Sequence, residues 1–200
     1  MVLNMFGIGR GDAKPADGDF IIATMNARLQ PLDRGEYFED PLEEILARDK
    51  LGSVTGGGTA LGEDGEIDSC DIEIQVPEAS DAVLDAIRTA LEALGAPRGS
   101  RLTVEGRDAP LPLGQSEGLA LYLNGTDLED SVYESCSADF VYDELTRSLA
   151  GIGKVYSVWQ GPTETAFYLY GASFEAMNAA IAGLVDSYPL CQDARIVKIA

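Results

Sequence analysis

Residues 61–76 read LGEDGEIDSCDIEIQV, a tight turn running into a strand. Gly62-Glu63-Asp64-Gly65 suits a hairpin turn because Asp-Gly pairs tolerate the positive φ that such turns require. After it, Cys70, Ile72, Ile74 and Val76 alternate with Ser69, Asp71, Glu73 and Gln75. A period of two is the signature of a strand with one buried face. The preceding segment, Ser53 to Leu61, is the matching strand, interrupted by Gly56, Gly57 and Gly58. Upstream of this hairpin, Asp40 at the N-cap, Pro41 at the first helical position and Glu43 at the third predict a helix carrying Leu42, Ile45 and Leu46. Before that helix, from Phe20 onward, Ile21, Ala23, Met25, Ala27 and Leu29 alternate with polar residues as a strand. Downstream, Ser80 caps a helix with Val83, Leu84, Ile87, Leu91 and Leu94, stopped by Gly95 and Pro97, and Arg101 to Glu105 forms a further strand.

The order strand, helix, strand, strand, helix, strand then recurs. Leu119, Leu121 and Leu123 mark a strand, Val141, Leu145 and Leu149 a helix, and residues 154–170 a hairpin across Gly161-Pro162-Thr163-Glu164. Ser173 caps the next helix and Arg195 to Ile199 is the last strand. Each βαββαβ pattern resembles the ferredoxin-like fold, which implies an α+β architecture of two tandem units, each an antiparallel four-stranded sheet with two helices on one face. The expected boundaries are a flexible leader at 1–18, units at 19–105 and 118–200, and a linker at 106–117 containing Pro110 and Pro112.

Fourteen basic residues stand against 34 acidic ones, for a net charge of −20. Phosphate backbones are gripped by Lys and Arg, so nucleic acid is an unsuitable partner. Histidine is absent, which removes Ser-His-Asp and Cys-His catalysis and imidazole-ligated zinc. Cys70, Cys136 and Cys191 are too scattered for a disulfide framework or a CxxC site and are expected to be reduced thiols, in the cytoplasm. Val2 to Ile8 lacks the basic start of a signal segment, and no window approaches the length of a membrane span, so a membrane is not expected as a partner. The carboxylate spacing misses the calcium-loop template, so no metal and no cofactor is expected. Thr55-Gly56-Gly57-Gly58-Thr59 lacks the lysine and following helix of a phosphate loop and is expected to be a bulge or a point of close approach.

Two surfaces stand out. Glu63, Asp64, Glu66, Asp68, Asp71 and Glu73 place six carboxylates within eleven positions. A solvated face and a docking surface for a basic partner both account for such a run. In the second unit Tyr122, Tyr156, Tyr168 and Tyr170 are assigned to the sheet face away from the helices, with Val158, while Trp159 and Phe167 point to the core. Tyrosines there serve either as the packing surface between the units or as a partner interface. RNA is excluded because Arg147, Lys154, Arg195 and Lys198 are the only bases of that unit. The resulting expectation is a non-enzymatic acidic protein that neutralises a basic macromolecule, as a toxin-immunity protein or nuclease inhibitor does, with those carboxylates and tyrosines as its contact residues. The alternatives are a small-molecule sensor or enzyme using the cleft between the units, and a homodimer that buries the tyrosine face.

Overall fold

Alternation of apolar side chains gives the strands, and capped apolar stripes give the helices. In the computed structural model residues 18–200 are described; the leader expected at 1–18 lies outside them except for Gly18. The elements are β1 (Asp19–Met25), α1 (Pro31–Arg34), a π-helical turn (Gly35–Glu39), α2 (Asp40–Asp49), β2 (Ser53–Leu61), β3 (Ile67–Val76), α3 (Asp81–Ala93), β4 (Ser100–Val104) and β5 (Leu111–Leu113). They continue as β6 (Glu117–Asn124), α4 (Asp130–Ser135), α5 (Ala138–Ser148), β7 (Gly153–Gln160), β8 (Glu164–Gly171), α6 (Phe174–Ser187) and β9 (Arg195–Lys198). The fold is mixed α+β, with two antiparallel sheets ordered β2-β3-β1-β4-β5 and β7-β8-β6-β9.

The first sheet has five strands where four were expected. Leu111 and Leu113 flank Pro112 within the expected linker and pair with β4. Proline lacks an amide hydrogen and therefore suits an edge strand. In the same sheet Cys70, Ile72, Ile74 and Val76 share one core with Leu42 and Leu46 of α2 and Leu84, Ile87 and Leu91 of α3. Ser80 accepts the Val83 amide at 3.4 Å and Ser173 the Ala176 amide at 3.2 Å, so both caps stand as read.

Asp40 is not an N-cap. Helical structure begins nine residues earlier, at Pro31, and passes through the π-turn, where the Asp40 amide donates to the Gly35 carbonyl. Proline at position 41 clashes with the carbonyl four residues back in a regular helix. The wider turn ahead of Pro41 accommodates it and keeps the helix continuous.

Of the three glycines of β2, Gly57 makes room for that turn. Arg34 is buried and donates to Glu39 at 2.6 Å, to the Gly58 carbonyl at 2.9 Å and to Thr59 at 2.8 Å, lying flat on the strand. A Cβ at Gly57 would stand 2.4 Å from the Glu39 carboxylate and 2.7 Å from the Asp71 carbonyl oxygen, whereas one at Gly58 would meet nothing within 4 Å. Gly57→Ala is therefore expected to cost about 1–3 kcal/mol in urea unfolding. Gly58→Ala should be neutral or stabilising by up to about 1 kcal/mol, because it only removes unfolded-chain freedom. Equal effects at the two positions would disprove this account of the glycine run.

Candidate functional site

The segment after β1 stays extended through Gln30, and its alternate residues Ala27 and Leu29 are fully buried. This segment runs along the tyrosine face of the second sheet. The Arg28 amide donates to the Tyr170 hydroxyl at 2.8 Å and the Gln30 amide to Ser157 Oγ at 3.1 Å. The four tyrosines Tyr122, Tyr156, Tyr168 and Tyr170 are 0–9 % exposed and belong to the same core as Phe38 and Leu42. Tyr122 and Tyr168, the latter at 2.7 Å, donate to Glu66, which also pairs with Arg28. At the far end of the seam Glu117 accepts Arg98 at 2.7 Å and the Phe174 amide at 2.7 Å. That amide first, and then Lys198, hold the Glu117 carboxyl below the usual carboxylate range.

These placements correct the contact surface read from the sequence. Glu66 is buried between the halves, and the tyrosines have no free area for another macromolecule. Glu63, Asp64, Asp68 and Glu73 are exposed and Asp71 is half-buried, with its Oδ1 lacking a hydrogen-bond partner. The acidic run and the tyrosine face do not form one outward surface, so the inhibitor of a basic macromolecule is not retained as the function.

A pocket of about 540 Å³ opens along the same seam. Pro31, Leu32, Asp33 and Tyr37 line it from the first half, and Tyr142, Tyr156 and Ser157 from the second. Its walls stand on two backbone irregularities. The π-turn carries Tyr37 and Phe38, whose rings lie 4.7 Å and 6.0 Å from that of Tyr156. Across from it, β7 slips register between Val155 and Ser157. This bulge puts both Tyr156 and Ser157 on the seam side, and it reverses the expected places of their neighbours: Val158 packs on the second core and Trp159 on the first. Trp159 Nε1 donates across the seam to the Gly65 carbonyl at 3.2 Å. π-turns and β-bulges both re-aim side chains and concentrate at functional sites.

Ser157 Oγ donates to Asp33 Oδ2 at 2.5 Å. Burial first, and then Glu36, Tyr142 and Asp33, raise the Tyr37 phenol above its ordinary value, and burial does the same at Tyr156. These hydroxyls are neutral at physiological pH. Asp33, Tyr37, Tyr142 and Ser157 were not singled out in the sequence. The one signal was Ser157, a polar residue on the row that strict alternation assigns to the core.

No family model and no curated protein matches the chain. Among solved structures it is similar to the regulatory subunit of aspartate kinase from Thermus flavus, at 13 % identity and a TM-score of 0.28 over 84 % of this chain and 93 % of that one. A chlorite dismutase variant from Candidatus Nitrospira defluvii gives 9 % identity and 0.30 over 92 % and 91 %. A heme-binding protein from Thermus thermophilus gives 14 % and 0.27 over 91 % and 89 %. No helix among the described residues is long and apolar enough to cross a membrane.

Proposed function

We propose that the chain binds a small organic molecule in the pocket at the seam. In this reading it consists of two ferredoxin-like βαββαβ units, residues 19–105 and 118–200, joined by 106–117, and it works in the cytoplasm. The repeated strand order supports the two units, and the three unpaired thiols support a reducing setting. Fold alone does not specify function. The observation that carries the proposal is the meeting of the π-turn and the β-bulge around one aromatic-walled pocket. Its volume lies within the roughly 300–1,000 Å³ of small-molecule sites, and it combines apolar walls with a few fixed polar groups as such sites do.

Binding is preferred over turnover because of Ser157. Its hydroxyl donates to Asp33 while accepting the Gln30 amide, so it ties the two halves together.

Tyrosine ring resonances assigned in the intact chain provide the test. A diverse fragment set should contain compounds that shift the Tyr37, Tyr142 and Tyr156 signals. Tyr142 is 39 % exposed, so Tyr142→Ala should leave stability within about 0.5 kcal/mol. It should weaken those fragments by about tenfold through loss of one wall. A fragment set that moves none of the three rings overturns the proposal.

A further inference from the structure

We infer that the ligand of this pocket is an organic cation, an alkylated or quaternary ammonium group; the inference rests on the seam pocket being a small-molecule site. Three aromatic rings line it, those of Tyr37, Tyr142 and Tyr156, and the first and last are tilted by 56° with centroids 4.7 Å apart, forming a corner. Among the described residues, Asp33 supplies the only ionisable carboxylate of the lining, and no lysine or arginine contributes to it. An aromatic face carries negative charge density, and a cation within about 6 Å of a ring centroid is attracted to it. Rings meeting at an angle beside a carboxylate therefore favour a positive group of low hydration over an anion or a strongly hydrated metal ion. Pro31, Leu32 and Val158 complete the lining with carbon surface that suits methyl or alkyl substituents on the nitrogen. The charge of the whole chain acts in the same sense: at −20 it concentrates cations and repels anions.

The groups facing the pocket from each packed element are consistent with this. From the helical segment the charged group in the lining is Asp33; burial first, and then Glu36, Tyr142 and Asp33, raise the Tyr37 phenol. Nothing on β7 or α5 within the lining opposes a positive ligand, since their contributions are Tyr142, Tyr156, Ser157 and Val158.

Choline and its neutral isostere 3,3-dimethyl-1-butanol separate charge from shape. Titrated into the intact chain at physiological salt, choline should shift the Tyr37, Tyr142 and Tyr156 ring resonances and bind about tenfold or more tighter than the isostere. Asp33→Asn should remove most of that preference and leave the isostere unchanged. Glu78→Gln, which removes the same charge from a residue outside the lining, should leave both unchanged. Equal affinity for the two compounds, or a preference weakened alike by both substitutions, overturns the cation assignment while the pocket remains a small-molecule site. Rings that respond to neutral fragments but not to choline do the same. Rings that respond to no compound at all overturn the site itself.

Discussion

Glu66→Ala is expected to destabilise the chain by about 3 kcal/mol, a sizeable part of the roughly 5–15 kcal/mol that holds a domain of this size together. The carboxylate is the common partner of Arg28, Tyr122 and Tyr168, and its side chain is 12 % exposed. Removing one member of a buried ion pair costs about 3–5 kcal/mol, because the remaining charge keeps its desolvation without its partner. Arg28 is 23 % exposed and can recover some hydration, which puts the value at the low end. Two phenol hydroxyls lose their acceptor in the same step. Glu66→Gln keeps an acceptor for them and removes only the charge, so about half the loss is expected. Urea midpoints give both values. Glu63→Ala, at an exposed residue of the same acidic run, should change the midpoint by less than about 0.5 kcal/mol. Equal effects at 63 and 66 would show that the seam network contributes nothing.

Unfolding in alkali is the second large effect. Tyr122 is pushed up to about 12 by burial and by its bond to Glu66, and Tyr168 is raised for the same two reasons. Burial also raises Tyr156 and Tyr170. An unfolded tyrosine titrates near 10. Above that pH the unfolded chain has released protons that the folded chain still holds, so stability is full below pH 10 and falls as pH rises toward the folded values. Each tyrosine contributes up to about 1.4 kcal/mol per pH unit over this window. At pH 11 the three that are shifted furthest, Tyr122, Tyr168 and Tyr170, together remove roughly 4 kcal/mol, close to the stability of many domains. Cys70, pushed up to about 12 by burial, acts in the same direction from a lower pH. Fluorescence of Trp159, which spans the seam, should report cooperative unfolding near pH 11 at a urea concentration harmless at pH 8. A urea midpoint unchanged from pH 8 to 11.5 would contradict the placement of these phenols.

Periodicity carried the regular parts of the fold. Alternation in β1, β3 and β6 and the serine caps of α3 and α6 were legible because each is a local pattern with one physical cause. The fifth strand was not, since three residues around Pro112 are too short to show a period. Residues 31–39 were not either. A π-turn has no composition of its own, and Asp40-Pro41 imitates a helix start at a place where the chain is already helical. The pocket depends on that turn and on a bulge at Tyr156-Ser157, and both break the periodicity by which sequence is read. The tyrosines were correctly set on one sheet face, except that the bulge exchanged Val158 and Trp159. Whether that face met water or the other half of the chain depended on Glu66, whose burial beside Arg28 is a long-range pairing with no local mark.

The extended strap at 26–30 imposes a schedule on biosynthesis. The Arg28 amide waits for a hydroxyl 142 positions later, and the Gln30 amide for one 127 positions later. Ribosomes add about 5–20 residues each second, so these donors, together with Ala27 and Leu29, go without their final partners for on the order of ten seconds. The first sheet and its helices can close during that interval, but its seam edge stays adhesive until β7 and β8 have been made. Nascent chains stalled between residues 105 and 155 are therefore the stage at which a holding chaperone has most to cover, and release past residue 170 ends the need for it.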